Sequence, residues 1–222
     1  ILSIGGVGTI LRAALAVVPA TVPITGINLG KLGFMTELSA DEAKTTLLDL
    51  LEGRGRLDER AMLEVELQEA GRSPRTFNAL NDVVVARGAI ARVIYVEATV
   101  DGQSLTTYKS DGVIVATATG STGYSLSAGG PILHPQAREF VLLPILPHLS
   151  FAHAIVLPSS AVVKLHLSTT HEATLNVDGH INLSILSGAT ITVKHSPHTV
   201  RFLRIHPEAF YSSLEQRLKG KQ

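Results

Sequence analysis

The sequence predicts two parts with different folds, an α/β segment at the N-terminus and a β-rich segment after it. Up to about residue 60, short apolar runs alternate with amphipathic helical patterns through glycine loops, which is typical of parallel βα units. From residue 62 to about residue 205, β-branched residues prevail, and Asp-Gly pairs at 101–102 and 178–179 predict hairpins. A chain of 222 residues is long enough for one or two such domains.

The elements of the first part follow from hydrophobic spacing. This spacing predicts, in order, a strand, a glycine loop, a helix and a second, buried strand at 1–4, 5–8, 9–18 and 24–28. Ser39 and Glu42 have the spacing of a capping box, so they predict the start of a second helix. Gly53 is placed to end that helix.

The second part contains several predicted strands and one final helix. The strands are predicted at 93–100, 103–109, 173–177, 180–185, 189–194 and 199–205, and the helix at 213–219. Between the last two strands, Pro197 predicts a surface loop that carries His195 and His198. The alternative for these histidines is a metal pair, but spacing defines no third ligand, and we predict no metal site.

Composition excludes several classes of function. The 19 basic and 19 acidic residues give no net charge, which argues against a nucleic-acid partner. The absence of cysteine excludes disulfides, thiolate nucleophiles and Cys-ligated zinc. Glycines and prolines divide the apolar first thirty residues into pieces too short to span a membrane, and no signal peptide is evident. We therefore expect a cytoplasmic protein with no membrane partner.

The glycine loop is the first candidate site. Gly5, Gly6 and Gly8 follow a predicted strand, and Thr9 opens a predicted helix. Backbone N–H groups in such a loop can approach an anion closely, and a helix N-terminus adds positive potential, so the loop predicts phosphate binding. The alternative is that the glycines only permit tight packing.

Further motifs give the chain a resemblance to a known family. They are NLGKLGF at 28–34, ALNDVVV at 79–85, SDG at 110–112, TGSTGYSLSAGGP at 119–131, PH at 147–148 and NVDG at 176–179. In this order they resemble NAD kinases, and the GSTGYSLSAGG run is highly specific. The resemblance covers the chain from its first residue to about Ile205, and the opening βα segment of the family is expected to be missing.

The resemblance implies a fold and an activity. The fold is a Rossmann-like α/β domain, truncated here and formed by 1–60 with a returning tail at 206–222, and an all-β, sandwich-like domain at 61–205. The activity is transfer of a phosphoryl group from ATP or polyphosphate to the 2′-hydroxyl of the adenosine ribose of NAD, which yields NADP. The alternative is a catalytically inactive NAD(P)-binding paralogue or regulator.

Val7 is the main departure from the family pattern. NAD kinases carry GGDGT where this chain has GGVGT, and the aspartate there deprotonates or orients the ribose hydroxyl. Valine cannot accept a proton, a step usually worth about 10²–10⁴-fold in rate. Three explanations are open: a mutated form that traps substrate, a natural paralogue with reduced turnover, or replacement by another acid such as Asp82 or Asp111. Val7 can also simply pack beneath the loop.

The resemblance assigns dinucleotide contacts to residues in the second part. Asn81 and Asp82 match the Asn–Glu pair that holds ribose hydroxyls, although an Asx turn is the alternative. Asp111 matches an aspartate at the nicotinamide end, and Lys109 lies where the family has a basic residue near phosphate or, alternatively, is a solvated lysine at a strand edge. The remaining assignments are Phe34, Arg92, Thr119, Thr122, Gly123, Tyr124, Ser127 and His180.

Cofactors and partners also follow from the resemblance. NAD is the substrate, and Mg²⁺ enters with ATP, since the metal offsets phosphate charge during transfer. The nearly uncharged stretch from 112 to 170 and exposed sheet edges favour a homodimer or homotetramer.

Overall fold

The computed structural model describes residues 1–29, 35–88, 92–149, 151–207 and 210–219. The chain divides into two compact units, Ile1–Arg60 with His198–Gln222, and Ala61–Pro197. The first unit contains a parallel sheet and the second contains antiparallel sheets. The predicted fold class, α/β followed by an all-β sandwich, is therefore confirmed.

The first unit is built on a three-stranded parallel sheet with the order β1-β2-β3. Its elements are β1 (Leu2–Ile4), α1 (Val7–Val17), β2 (Thr25–Asn28), β3 (Leu38–Ser39) and α2 (Ala40–Leu51). Helix α1 buries one face, formed by Ile10, Leu11, Ala14 and Val17. At the start of α2, the Ser39 hydroxyl accepts from the Glu42 N–H and the Glu42 carboxylate accepts from the Ser39 N–H, as the capping box predicts.

The second unit consists mainly of two six-stranded sheets. Its elements are β4 (Arg56–Gln68), β5 (Arg75–Ala79), β6 (Asp82–Arg87), β7 (Ile94–Val100), β8 (Gln103–Ser110), β9 (Gly112–Thr117), a 3-10 helix (Gly120–Thr122), α3 (Tyr124–Ser127), β10 (Phe140–Ile145), β11 (Ile155–Leu157), β12 (Val162–Ser168), β13 (Ala173–Val177), β14 (Ile181–Ile185) and β15 (Thr190–Arg204). The strand orders are β11-β10-β9-β6-β13-β14 and β5-β4-β15-β12-β7-β8. The first residues of β4, 56–60, and the last residues of β15, 198–204, belong to the first unit.

One apolar core lies between the inner faces of the two sheets. It includes Val83, Val115 and Leu175 from one sheet and Val65 and Leu165 from the other. Strands β6, β9 and β10 are also buried on their outer face, where a second apolar cluster covers them. Because both faces are buried, these strands have continuous apolar sequences rather than alternating ones.

The structure corrects one prediction about the end of the chain. The strands predicted at 189–194 and 199–205 form one strand, β15, so His195 and His198 lie within a strand and not in a surface loop. Pairing of β15 with β12 ends at Lys194, so Pro197 lies beyond that ladder and its missing N–H costs no bond to β12.

The last element is α4 (Phe210–Lys219), which begins at Phe210 rather than at the predicted Ser213. Among the helices described, none is long and apolar enough to cross a membrane.

Candidate functional site

The glycine loop joins β1 to α1, and Gly5 is required there by the fold. Its φ of +143° lies in the region that side chains disfavour, and a Cβ would lie 2.7 Å from Thr9 Oγ1. The Gly5 N–H donates to the Ile27 carbonyl at 2.9 Å, which ties the loop to β2. Packing and conformation therefore explain this glycine.

Gly6 and Gly8 have a different environment. A Cβ at either position would meet no described atom within 4 Å, and Gly6 has an ordinary φ of −84°. Neither tight packing nor backbone strain requires glycine at these two positions. The loop backbone is therefore open to close approach by another molecule.

The start of α1 has the electrostatics of an anion site. Gly6 is the N-cap and supplies no side-chain hydrogen bond, and the first turn contains no acidic residue. The first N–H groups of α1 therefore present uncompensated positive potential. Val7, the first residue of α1, is 40% exposed, so its side chain is not a core residue that the fold needs.

The second candidate region is the turn at 80–82 that leads into β6. The Asp178 carboxylate accepts the backbone N–H groups of Leu80 at 2.8 Å, Asn81 at 2.7 Å and Asp82 at 3.1 Å. In return, the Asp178 N–H donates to the Asp82 carbonyl at 3.0 Å. Asp178 therefore holds this turn in shape. Asp178 is not among the site residues that the sequence predicts, although the NVDG motif contains it.

The segment after β9 packs closely against the same turn. The Thr117 hydroxyl donates to the Leu80 carbonyl at 2.6 Å and accepts the Gly120 N–H at 3.0 Å. A Cβ on Gly120 would lie 2.1 Å from the Asn81 carbonyl oxygen, so only glycine fits there. A Cβ on Gly123 would lie 3.1 Å from the Gly120 carbonyl oxygen, a tight contact, and 3.9 Å from Asp82 Oδ2.

Two acceptors in this region receive no hydrogen bond from the described residues. The first, Asn81 Oδ1, is buried. Asp82 is only 7% exposed, and its carboxyl group has no hydrogen bond within the part of the chain that the structure describes. Burial, reinforced by the negative charge of Asp178, raises the pKa of Asp82 to about 7. Two such acceptors on consecutive residues are suited to a ligand that brings hydroxyl donors.

Comparison with known proteins identifies the family. The family model of the ATP-NAD kinase N-terminal domain matches residues 1–55, and that of the ATP-NAD kinase C-terminal domain matches residues 80–205. A curated NAD kinase of Dehalococcoides mccartyi is 50% identical over 99% of this chain and 78% of its own length. The chain belongs to the NAD kinase family.

Other NAD kinases support this assignment. The NAD kinase of Chloroflexus aurantiacus is 41% identical over 98% of this chain and 79% of its own length. The crystal structure of yeast NADH kinase with NADH superposes with a TM-score of 0.90 at 30% identity, covering 99% of this chain and 65% of that one. The NAD kinase of Archaeoglobus fulgidus in complex with ATP gives a TM-score of 0.82 at 29% identity, covering 99% and 82%.

Within this NAD kinase fold, several predicted site residues lie together. Thr119, Thr122, Gly123 and Tyr124 belong to the segment that packs against the Asn81–Asp82 turn. Thr119 and Thr122 are buried, whereas Tyr124 is half-exposed and Ser127, at the end of α3, is exposed. His180 follows the Asp178–Gly179 turn, and its Nδ1 lies 3.1 Å from the Asp178 carbonyl oxygen.

Other predicted residues lie elsewhere. Asp111 forms an ion pair with Arg87 at 2.9 Å, at the end of β6 opposite to Asp82. Arg87 follows Asp82 by five positions along the strand, which separates these ends by about 17 Å. The Lys109 carbonyl accepts the His148 N–H at 2.7 Å, near the Asp111 end, and Arg92 is exposed ahead of β7. Phe34 lies outside the described residues.

The site offers little to a metal ion. Across the described ranges there is no group of three His, Cys, Asp or Glu side chains placed to hold one. Val7 also has no ligand atom at the start of α1. These side chains therefore do not form a dedicated Mg²⁺ cage, and we derive no step through a protein-bound metal.

Proposed function

We propose that this chain acts on NAD as an NAD kinase, accepting a phosphoryl group from ATP or polyphosphate at the 2′-hydroxyl of the adenosine ribose. One observation carries this proposal. Asn81 Oδ1 and the Asp82 carboxyl group are buried acceptors on consecutive residues of a member of the NAD kinase family, and none of the described residues donates to either. The yeast relative was solved with NADH and the archaeal relative with ATP, which supports both ligand classes.

The dinucleotide is expected to bind along the Asn81–Asp82 turn. Two ribose hydroxyls would donate to the Asp82 carboxylate oxygens, and a third donor of the ligand would satisfy Asn81 Oδ1. Thr119, Thr122, Gly123, Tyr124, Ser127 and His180 remain proposed contacts. The close fit of Gly120 against the Asn81 carbonyl holds in place the turn that carries both acceptors.

Phosphate groups are expected to bind the glycine loop. The open positions at Gly6 and Gly8 and the uncompensated start of α1 are suited to an anion, and Gly5, Thr9 and Phe34 are the other proposed members. Mg²⁺ would enter with ATP, held by the phosphate oxygens, and offset their charge during transfer.

Val7 limits the reaction in this proposal. A ribose hydroxyl is a weak acid, and its attack on phosphorus is assisted by a group that takes up the proton. Valine supplies no such group, so we propose NAD binding with slow turnover. The second candidate function, an inactive NAD-binding module, is favoured by the same exposed apolar side chain at the start of α1.

Asp82 and Asp111 are too far apart to contact one ribose. We propose that they contact different ends of an extended dinucleotide, Asp111 at the nicotinamide end.

We also propose a homodimer or homotetramer in the cytoplasm. Light scattering is expected to show an oligomer, and a monomer at micromolar concentration would contradict this part of the proposal.

Titration calorimetry with NAD, beside a coupled assay for NADP, tests the function. Binding with slow NADP production supports an impaired kinase. Binding with no NADP above the enzyme-free rate selects the inactive module. No affinity for NAD or NADP at millimolar concentration would refute the dinucleotide site.

A further inference from the structure

The two carboxyl groups at the Asn81–Asp82 turn are in different environments. Asp178 accepts three backbone N–H groups, which stabilise its ionised form. Asp82 is equally buried but receives no hydrogen bond from the described residues. Of two neighbouring carboxyl groups in one buried site, the one without donors is the one that retains a proton.

The proton on Asp82 has a consequence for the ligand. A protonated carboxyl group accepts through its carbonyl oxygen, but its other oxygen carries a proton and acts as a donor. Ribose hydroxyls that donate to both oxygens need the ionised carboxylate. A ligand whose two hydroxyl groups donate to both oxygens therefore has to displace the proton from Asp82.

We propose that binding of the dinucleotide is coupled to release of one proton from Asp82 to solvent. This inference rests on the proposed function, since it assigns the ribose hydroxyls to this turn. The exchange involves no covalent step. The carboxyl O–H bond breaks, the proton passes to water or buffer, and two ligand hydroxyl groups then donate to the carboxylate oxygens.

The elements around Asp82 carry few other groups that titrate. Strands β9 and β13 carry no charged residue, the turn after β13 carries Asp178 and His180, and the segment after β9 carries Tyr124. Arg87, at the far end of β6, is paired with Asp111. Burial raises the pKa of Asp178 as well, although the three backbone N–H donors and His180 oppose that effect. Asp178 and His180 are therefore the neighbouring groups that compete with Asp82 as the source of a proton.

The size of the coupling follows from the pKa of Asp82, about 7 in the empty site. Affinity for NAD is expected to rise about tenfold from pH 6 to pH 8 and to level off above that range. The number of protons released is expected to fall from about 0.9 at pH 6 to about 0.1 at pH 8 as the empty site ionises.

Calorimetry in buffers of different ionisation enthalpy measures the coupling. The chain is titrated with NAD at pH 6 and pH 8 in each buffer, because the dependence of the observed heat on the buffer gives the protons exchanged. Asp82→Asn is expected to abolish the release at pH 6. Glu139→Gln, an exposed acid outside the proposed site, is the matched control and is expected to retain the release in full.

The possible results are distinct. NAD binding with no proton exchange, or with proton uptake, would overturn the coupling and leave the proposed function standing, whereas absence of binding would overturn the function. Loss of the release in His180→Asn, with retention in Asp82→Asn, would assign the proton to His180 and refute the role of Asp82. If Asp82→Asn does not fold, infrared difference spectra of the unmodified chain remain decisive. NAD is expected to remove a protonated-carboxyl band, and a persistent band would refute the proposal.

Discussion

The substitution Val7→Asp places a carboxylate on the first residue of α1, where the family motif has its aspartate. Full burial of a valine is worth about 1.5 kcal/mol, and Val7 is 40% exposed, so the burial lost is small. A negative charge in the first turn of a helix contributes about 0.3–1 kcal/mol, and α1 has none at present. We therefore expect the free energy of unfolding to change by less than about 1 kcal/mol.

The effect on turnover is expected to be much larger. A positioned group that takes up the hydroxyl proton is worth about 10²–10⁴-fold, or about 3–5 kcal/mol of activation free energy. NAD affinity is expected to stay within about threefold, because the ribose contacts lie on the Asn81–Asp82 turn and not on α1. The effect should therefore fall on kcat and not on KM.

The assay is NADP production from NAD and Mg–ATP, followed by a coupled dehydrogenase, beside calorimetric titration with NAD. Val7→Asn is the matched control, because asparagine has nearly the shape of aspartate but takes up no proton at neutral pH. It is expected to bind NAD and to remain slow. Equal NADP production by Val7→Asp and the unmodified chain, with both folded and binding NAD, would refute the argument from the missing aspartate.

Three further substitutions test the packing and charge of the second unit. Asp82→Asn removes a carboxyl group with a pKa of about 7 in the folded chain and an ordinary value of 3.8. Folding favours the protonated acid, so the free energy of unfolding of the unmodified chain falls by up to about 4 kcal/mol as pH rises from about 4 to 7. In urea unfolding, Asp82→Asn should therefore gain more stability over the unmodified chain at pH 8 than at pH 5. Gly120→Ala should lose about 1–3 kcal/mol of stability and NAD binding in melting and titration experiments, because its Cβ would lie 2.1 Å from the Asn81 carbonyl oxygen. Unchanged stability would contradict the close fit of Gly120. Tyr108→Phe should raise the free energy of unfolding by about 1 kcal/mol in urea titration, because none of the described residues forms a hydrogen bond with the buried Tyr108 hydroxyl. A loss of stability would indicate that this hydroxyl has a hydrogen-bond partner.

Much of the fold was accessible from local patterns. The Asp-Gly pairs at 101–102 and 178–179 mark hairpins in the structure, with positive φ at Asp101 and Asp178 as tight turns require. The Ser39 capping box also forms as its spacing predicts. These features depend on contacts between residues close in sequence, so the sequence predicts them without knowledge of the tertiary structure.

The error at Pro197 shows where local reasoning stops. Proline predicts the end of a strand because it lacks an N–H group. The stability lost depends on whether a neighbouring strand would accept a hydrogen bond from that N–H group. In β15 the ladder to β12 has already ended at Lys194. Which partner strand is present at a given residue is a tertiary fact.

Residue types and motif order were enough to predict the family, the candidate nucleotide contacts and the anomaly at Val7, because those signals are carried by the identity of each side chain. Only the folded chain distinguished Gly5 and Gly120, which packing requires, from Gly6 and Gly8, which it leaves open. It alone brought Asp178, 96 residues away in sequence, onto the backbone of Asp82, and separated Asp82 from Asp111 by the length of a strand. Distances and burial between residues remote in sequence arise from strand pairing and packing, and the charge state of Asp82 follows from them.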